Sequence, residues 1–245
     1  MATFKLTIEY DGTGYAGWQR QPDHPTIQAA IEDALYRISQ QTMTVIGASR
    51  TDAGVHAVGQ VVSFRSERQM KSHEWAKALN AVLSADISVR SVEEAPDDFH
   101  ARHSARLKRY RYRILNRRER SALERRRAWH IRKRLDVNAM REAAVYLIGQ
   151  HDFSSFQGSP TDTKDTVCDV RRLDIAESKS LLTVDIEANR FLRQMVRAIV
   201  GTLVEVGLGR RPSASMTHVL ETKDRRGAGF TAPPHGLFLM RVKYS

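Results

Sequence analysis

One cysteine, Cys168, stands in a chain of 245 residues, which excludes an internal disulfide and a thiolate metal cluster. Also missing is any run of about 18 apolar residues, so no segment reads as a membrane-spanning helix. The opening MATFKLTIEY already alternates like a strand and leaves no room for a signal peptide, so the expected compartment is the cytoplasm. There is no Walker phosphate loop, no G-x-S-x-G elbow and no His-Glu-x-x-His, so nucleotide, serine-hydrolase and zinc-protease chemistries lack their parts. His100 and His103 come without an accompanying acidic or thiolate ligand set; ordinary hydrogen bonds are expected of them, and no metal site.

One apparent motif also lacks its context. Gly12-Thr13-Gly14-Tyr15-Ala16-Gly17 matches G-x-G-x-x-G after a strand, but Trp18-Gln19-Arg20-Gln21-Pro22 follows where a helix would have to open. A dinucleotide site needs that helix, because its amide ends meet the pyrophosphate. The glycines are expected to shape a loop beside an active site.

What is present is positive charge. Hydrophobic residues at 41% and charged residues at 27% are ordinary for a globular chain, but 39 Lys and Arg against 28 acids give +11. An excess of that size points to a polyanionic partner. It is densest from Arg102 to Arg134, where fifteen Lys or Arg meet two acids, Glu119 and Glu124. Arg117, Arg118, Arg120 and Arg125 to Arg127 read as an insertion suited to an RNA backbone.

The hydrophobic pattern gives an α+β order twice. Phe4, Leu6, Ile8 and Tyr10 alternate as a strand; a helix capped by Thr26 follows, with Ile27, Ala30, Ile31, Leu35 and Ile38 on one face. Two strands flank residues 47–60, a helix starts near Ser72, and another strand starts at Ile87. In the second half Tyr110, Tyr112 and Ile114 alternate. Asp136 caps a helix running to Gly149, strands cover Val167–Ile175 and Leu182–Ile186, a helix is expected over Phe191–Val206, and Leu237–Val242 is the last strand. Two βαββαβ halves of ferredoxin-like type, residues 1–104 and 105–245, are expected, with no low-complexity linker between them. On the last helix Arg190, Arg193 and Arg197 fall at i, i+3 and i+7, a basic stripe expected to face a cleft.

The stretch GASRTDAGVHAVGQVVSF, from Gly47 to Phe64, holds a polar loop between apolar strands. Such loops are where a rigid scaffold presents chemistry. Asp52 has Arg50 two residues before it and small residues after it, so its carboxylate is approachable. On the residues alone, a turn in which Asp52 caps its own backbone is the commoner reading.

RTDAGVHA with GQVVSF resembles the active-site block of the tRNA pseudouridine synthases of the A type. EYDGTGYAGWQRQ, DDFHARHSARLKRYRYRI, NRFLRQMVRAIVGTLVEVG and GLFL resemble the family's other blocks in the same order, over essentially the whole chain. Ser49 departs from the pattern, where a glycine is common. The resemblance implies two sheets joined edge to edge around a central cleft and conversion of uridine to pseudouridine in the anticodon stem-loop of tRNA. It also implies a homodimer.

By the same resemblance Asp52, Tyr110 and Arg197 are the catalytic residues. Arg197 pairs with the aspartate, and Tyr110 stacks on the base and helps remove the C5 proton. Arg50, with Thr51, His56, Arg190 and Arg193, is expected to bind substrate. The reaction breaks the bond from C1′ to N1 and joins C1′ to C5 with no change of redox state, so no cofactor is expected. Electron demand at C1′ calls for a carboxylate, as in glycoside cleavage.

Two other classes lack their expected features. A non-catalytic RNA-binding protein with tandem ferredoxin-like domains would show an aromatic RNP1 pattern, but Gln60–Arg65 has only Phe64. A cofactor-independent hydrolase would need a second carboxylate near Asp52, and the sequence offers none nearby.

Overall fold

The computed structural model describes residues 1–161 and 163–244. The chain forms two compact units, Met1–Arg106 with Phe238–Ser245, and Leu107–Leu237. The first unit runs β1 (Ala2–Tyr10), α1 (Ile27–Ser39), β2 (Ile46–Gly47), β3 (His56–Ser66), α2 (Ser72–Val82) and β4 (Ile87–Ala95), the expected strand–helix–strand–strand–helix–strand order. The second holds β5 (Leu107–Asn116), β6 (Trp129–Ile131), α3 (Val137–Val145), β7 (Gly149–Asp152), β8 (Val167–Ser178), β9 (Leu181–Ala188), α4 (Met195–Gly207) and α5 (Ser215–Thr222). A last strand, β10 (Leu237–Lys243), pairs parallel with β3 at Phe238↔His56 and Leu239↔Ala57, within the first unit.

In the first unit β1 is central, antiparallel to β3 and to β4, and β2 adds to β3 at Ile46↔Ser63. Alternation along β1 turns Phe4, Leu6, Ile8 and Tyr10 into the core, all at most 4% exposed. There Phe4 stacks on Phe64 at 5.3 Å and Trp75 of α2 meets Phe64 edge-on at 5.3 Å. α1 starts where its cap says it should: Thr26 Oγ1 accepts from the Ala29 amide at 3.3 Å. Ile27, Ile31 and Leu35 are fully buried, and burying each such side chain contributes about 1.5–3 kcal/mol. Asn80 ties α2 to the sheet by exchanging two hydrogen bonds with the Val89 backbone, 2.7 and 2.8 Å.

In the second unit β9 lies between β5 and β8, antiparallel to both, with β7 beyond β8 and β6 parallel to β5. Tyr110, Tyr112 and Ile114 of β5 point into the core as the alternation predicts. The arginines between them take the other face. Arg109 and Arg111 converge on Asp185 of β9 at 3.2 and 2.9 Å, and Arg113 pairs with Glu124 at 3.0 Å. Three of the fifteen basic residues are thus paired with two acids, whereas Arg117, Arg118, Arg120 and Arg125 to Arg127 are exposed.

α4 is buried nearly all round, and Gly201 lets it approach closely: a Cβ there would lie 1.8 Å from the Phe230 carbonyl oxygen. Two helix spans differ from expectation. α3 ends at Val145, short of Gly149, in tight turns from the Leu147 amide to the Ala144 carbonyl and from Ile148 to Val145. α4 begins at Met195, not Phe191, because Gln194 takes a left-handed conformation with φ 57° and the Arg193 carbonyl accepts from the Gly158 amide at 2.8 Å. Arg190 and Arg193 therefore precede the helix, and the expected three-arginine stripe does not form on one helical face.

Candidate active site

Asp52 sits in the connection from β2 to β3, half-buried, between buried Thr51 and exposed Ala53. The turn is closed by the backbone, the Val55 amide donating to the Asp52 carbonyl at 3.1 Å. Neighbouring segments hold the loop from several sides. The Trp18 amide donates to the Thr51 carbonyl at 3.0 Å, and the Gly54 amide donates to the Tyr15 carbonyl at 3.3 Å. The first of these contacts requires glycine beside it: Gly17 has φ +99°, and a Cβ there would lie 2.7 Å from the Thr51 carbonyl oxygen. The Gly12–Gly17 segment thus builds a loop against the Asp52 turn, with Gly12–Gly14 in a short 3-10 turn and no helix before Ile27.

Side chains grip the same loop from within. Tyr10 Oη and Thr51 Oγ1 are 2.8 Å apart, both residues buried. Gln60, fully buried on β3, donates from Nε2 to the Ser49 carbonyl at 2.6 Å and accepts the Ser49 amide at 3.2 Å. Arg50, between the two anchored residues, is exposed. His56 is only 2% exposed; its ring stacks on Phe238 at 4.7 Å, and its Nδ1 accepts the Gly12 amide at 3.1 Å. Asp11 Oδ1, 3.2 Å from that nitrogen, accepts from the Thr13 amide and hydroxyl. As placed, the imidazole supports the loop.

In the second unit Tyr110 of β5 is 5% exposed, with Phe191 edge-on at 5.1 Å. Arg197, in the first turn of α4, donates from Nε to the Ala232 carbonyl at 2.7 Å, and its own carbonyl accepts the Ala232 amide at 3.0 Å. Nearby Tyr112 gives its hydroxyl to the Pro233 carbonyl at 2.7 Å. Burial pushes the Tyr112 phenol well above its usual range, while the Arg197 cation opposes that rise. Arg190 pairs with Asp165 at 2.5 Å, and Arg193 donates to the Pro160 carbonyl at 2.6 Å.

His100 Nδ1 accepts the Arg102 and His103 amides at 3.2 and 3.1 Å. Among the described residues no three His, Cys, Asp or Glu stand close enough to hold a metal ion. Nor is any described helix long and apolar enough to cross a membrane. Cys168 is buried, which pushes its thiol up to about 11 and leaves it protonated and unreactive near neutrality.

The sequence pattern marks Asp52, Thr51 and Arg50 but not Tyr10 and Trp18, which hold Thr51, nor Gln60, which holds Ser49. Their only signal was position: Tyr10 lies on an alternating strand, and Gln60 is a polar residue in an otherwise apolar run.

The chain's sequence matches a known family. A family model described as tRNA pseudouridine synthase matches residues 6–104 and 143–245. The tRNA pseudouridine synthase A of Anaplasma marginale (strain St. Maries) is 45% identical over 245 residues, covering 98% of this chain and 99% of that protein. The enzymes of the same name from Thermoanaerobacter sp. (strain X514) and Bartonella tribocorum are 43% and 45% identical, covering 100% of this chain and of each of those proteins. The chain belongs to the tRNA pseudouridine synthase family.

Proposed function

We propose that this chain is an isomerase that converts uridine to pseudouridine in the anticodon stem-loop of tRNA, with Asp52 as its essential group and no cofactor. One observation carries the assignment of Asp52: the residues at 49 and 51 are held by buried side chains while the carboxylate at 52 is left half-buried on a rigid loop. A preorganised anion suits a reaction that builds positive charge at C1′ as the bond to N1 breaks. The freed base turns, C5 bonds to C1′, the proton leaves C5 and N1 gains one, so the isomerisation balances within the nucleotide.

Tyr110 and Arg197 enter as proposals carried by the family resemblance: the tyrosine at the base and its C5 proton, the arginine as the partner of the catalytic aspartate. A stacked uridine has to leave its helix to be reached, and exposed Arg50 beside the anchored loop suits holding the strand as it does so. Thr51, Arg190 and Arg193 are retained as substrate-side groups. The exposed arginines from 117 to 127 supply a surface for phosphates. The chain acts in the cytoplasm as a homodimer; sedimentation of a fully active monomer would remove the second part of that statement.

Asp52→Asn keeps the side chain's size and removes its charge. Unmodified tRNA is incubated with each protein and pseudouridine is mapped by mass spectrometry after derivatisation. The expected result is loss of turnover to background, with tRNA affinity changed by less than about tenfold, or about 1.4 kcal/mol. Residual turnover above a few per cent would reject Asp52.

A further inference from the structure

The contacts around residues 49 to 52 have a common source. Two buried polar side chains on neighbouring core strands, Tyr10 of β1 and Gln60 of β3, reach the loop on either side of Arg50. Gln60 uses both ends of its amide on one residue, donating to the Ser49 carbonyl at 2.6 Å and accepting its amide at 3.2 Å, so the peptide planes on both sides of Ser49 are fixed. Tyr10 fixes Thr51 through its hydroxyl at 2.8 Å. The two clamps also approach each other, Gln60 Nε2 lying 3.5 Å from Tyr10 Oη, the outer limit of a hydrogen bond. Gln60 is 0% exposed, Tyr10 4% and Thr51 7%, so water does not compete for these bonds.

We propose that Gln60 and Tyr10 are positioning residues for catalysis, which set where the Asp52 carboxylate stands by clamping Ser49 and Thr51 to the core. The inference rests on the reading of Asp52 as the essential group. A buried glutamine in a strand carries a desolvation cost unless its amide is fully used, and here it is spent on the backbone of a catalytic loop rather than on the sheet. Tyr10 is placed for its role by an irregularity in the pairing of β1 with β3: the register runs Ile8↔Gln60 and then Tyr10↔Ala57. The ends of the loop are held by the sheet and the middle by the clamps, so Asp52 inherits the rigidity of both strands. A displacement of about 1 Å in such a group costs about 10²-fold in rate.

The test uses full-length protein and unmodified tRNA. Tyr10→Phe, Thr51→Val and Gln60→Met each remove polar reach while keeping size. Expected are kcat losses of about tenfold or more for all three, with KM for tRNA within threefold for Tyr10→Phe and Gln60→Met. Tyr10→Phe and Thr51→Val break the same hydrogen bond, so the double variant should be no slower than the slower single one. The proposal is overturned if Tyr10→Phe and Gln60→Met keep kcat within twofold. It is equally overturned if their effect lies in KM alone, or if the two losses multiply in the double variant. Should Gln60→Met fail to fold, the Tyr10 and Thr51 cycle decides alone. An active Asp52→Asn would instead remove the catalytic reading itself, which keeps the two failures distinct.

Discussion

Gly17→Ala should damage the protein twice, in stability and in the placement of Asp52. The backbone at Gly17 has φ +99°, which an alanine adopts at a cost of about 1–2 kcal/mol. Its new Cβ would sit 2.7 Å from the Thr51 carbonyl oxygen and 3.1 Å from the Ala53 nitrogen, and both are backbone atoms with no flexible end to yield. Relieving such overpacking costs typically 1–3 kcal/mol. The sum, about 3 kcal/mol, corresponds to a fall in Tm of about 6–12 °C for a chain of this length. Relief requires the Thr51 peptide to move, and Asp52 moves with it, so kcat should fall further than the loss of folded protein accounts for. The assays are thermal unfolding by circular dichroism and pseudouridine formation at a temperature where both proteins are folded. Gly14→Ala is the control: a Cβ at Gly14 meets nothing within 4 Å, so stability and rate should stay near wild type. A Gly17→Ala protein with Tm within 3 °C and unchanged kcat would refute the close approach and its link to the aspartate.

Tyr110→Phe keeps the ring against Phe191 and removes the hydroxyl; if that oxygen helps remove the C5 proton, turnover falls by roughly 10²-fold, and a variant as fast as wild type would leave only the ring. Affinity for tRNA should fall with salt along a log–log slope steeper than about −2, and neutralising Arg125, Arg126 and Arg127 should make it shallower; an unchanged slope would take that cluster out of the phosphate-binding surface. Asp152 yields a pH effect. Burial alone would raise its pKa, but hydrogen bonds from Thr166, Ser154 and Lys223 outweigh it and hold the group at about 2, below its ordinary 3.8. A depressed carboxylate contributes stability above its unfolded pKa and loses it as pH falls through the folded one, so the contribution should vanish between about pH 4 and pH 2. With the Asp152 side chain 24% exposed and its Lys223 partner 62% exposed, screening leaves about 1 kcal/mol. Asp152→Asn should be less stable than wild type near neutrality and equal to it near pH 2; an equal difference at both ends would contradict the assignment.

Much of the fold was legible because local rules and tertiary needs agree. Phe4, Leu6, Ile8 and Tyr10 alternate because one face of β1 meets a core, and Thr26 and Asp136 cap α1 and α3 because each offers an oxygen to an otherwise unpaired amide. The Asp52 loop was legible through its family pattern, which is specific; the residues alone read more readily as a turn in which the acid caps its own backbone.

Where sequence and structure part, a long-range contact had the decision. Periodicity carried the last long helix back to Phe191, but the Gly158 amide takes the Arg193 carbonyl that would have served the first helical turn, and α4 starts at Met195. Charge counting treated Arg109, Arg111 and Arg113 like the arginines beyond them, but Asp185, more than seventy residues away, draws in the first two and Glu124 the third. Gln60 looked like one polar residue in GQVVSF until strand pairing placed its amide against Ser49. Composition and spacing therefore determined which segments form strands and helices, and the resemblance of one stretch to a family block marked the loop that carries the carboxylate. The tertiary structure decided which polar groups meet, because a hydrogen bond or ion pair depends on where two distant segments are brought together, and no local pattern records that.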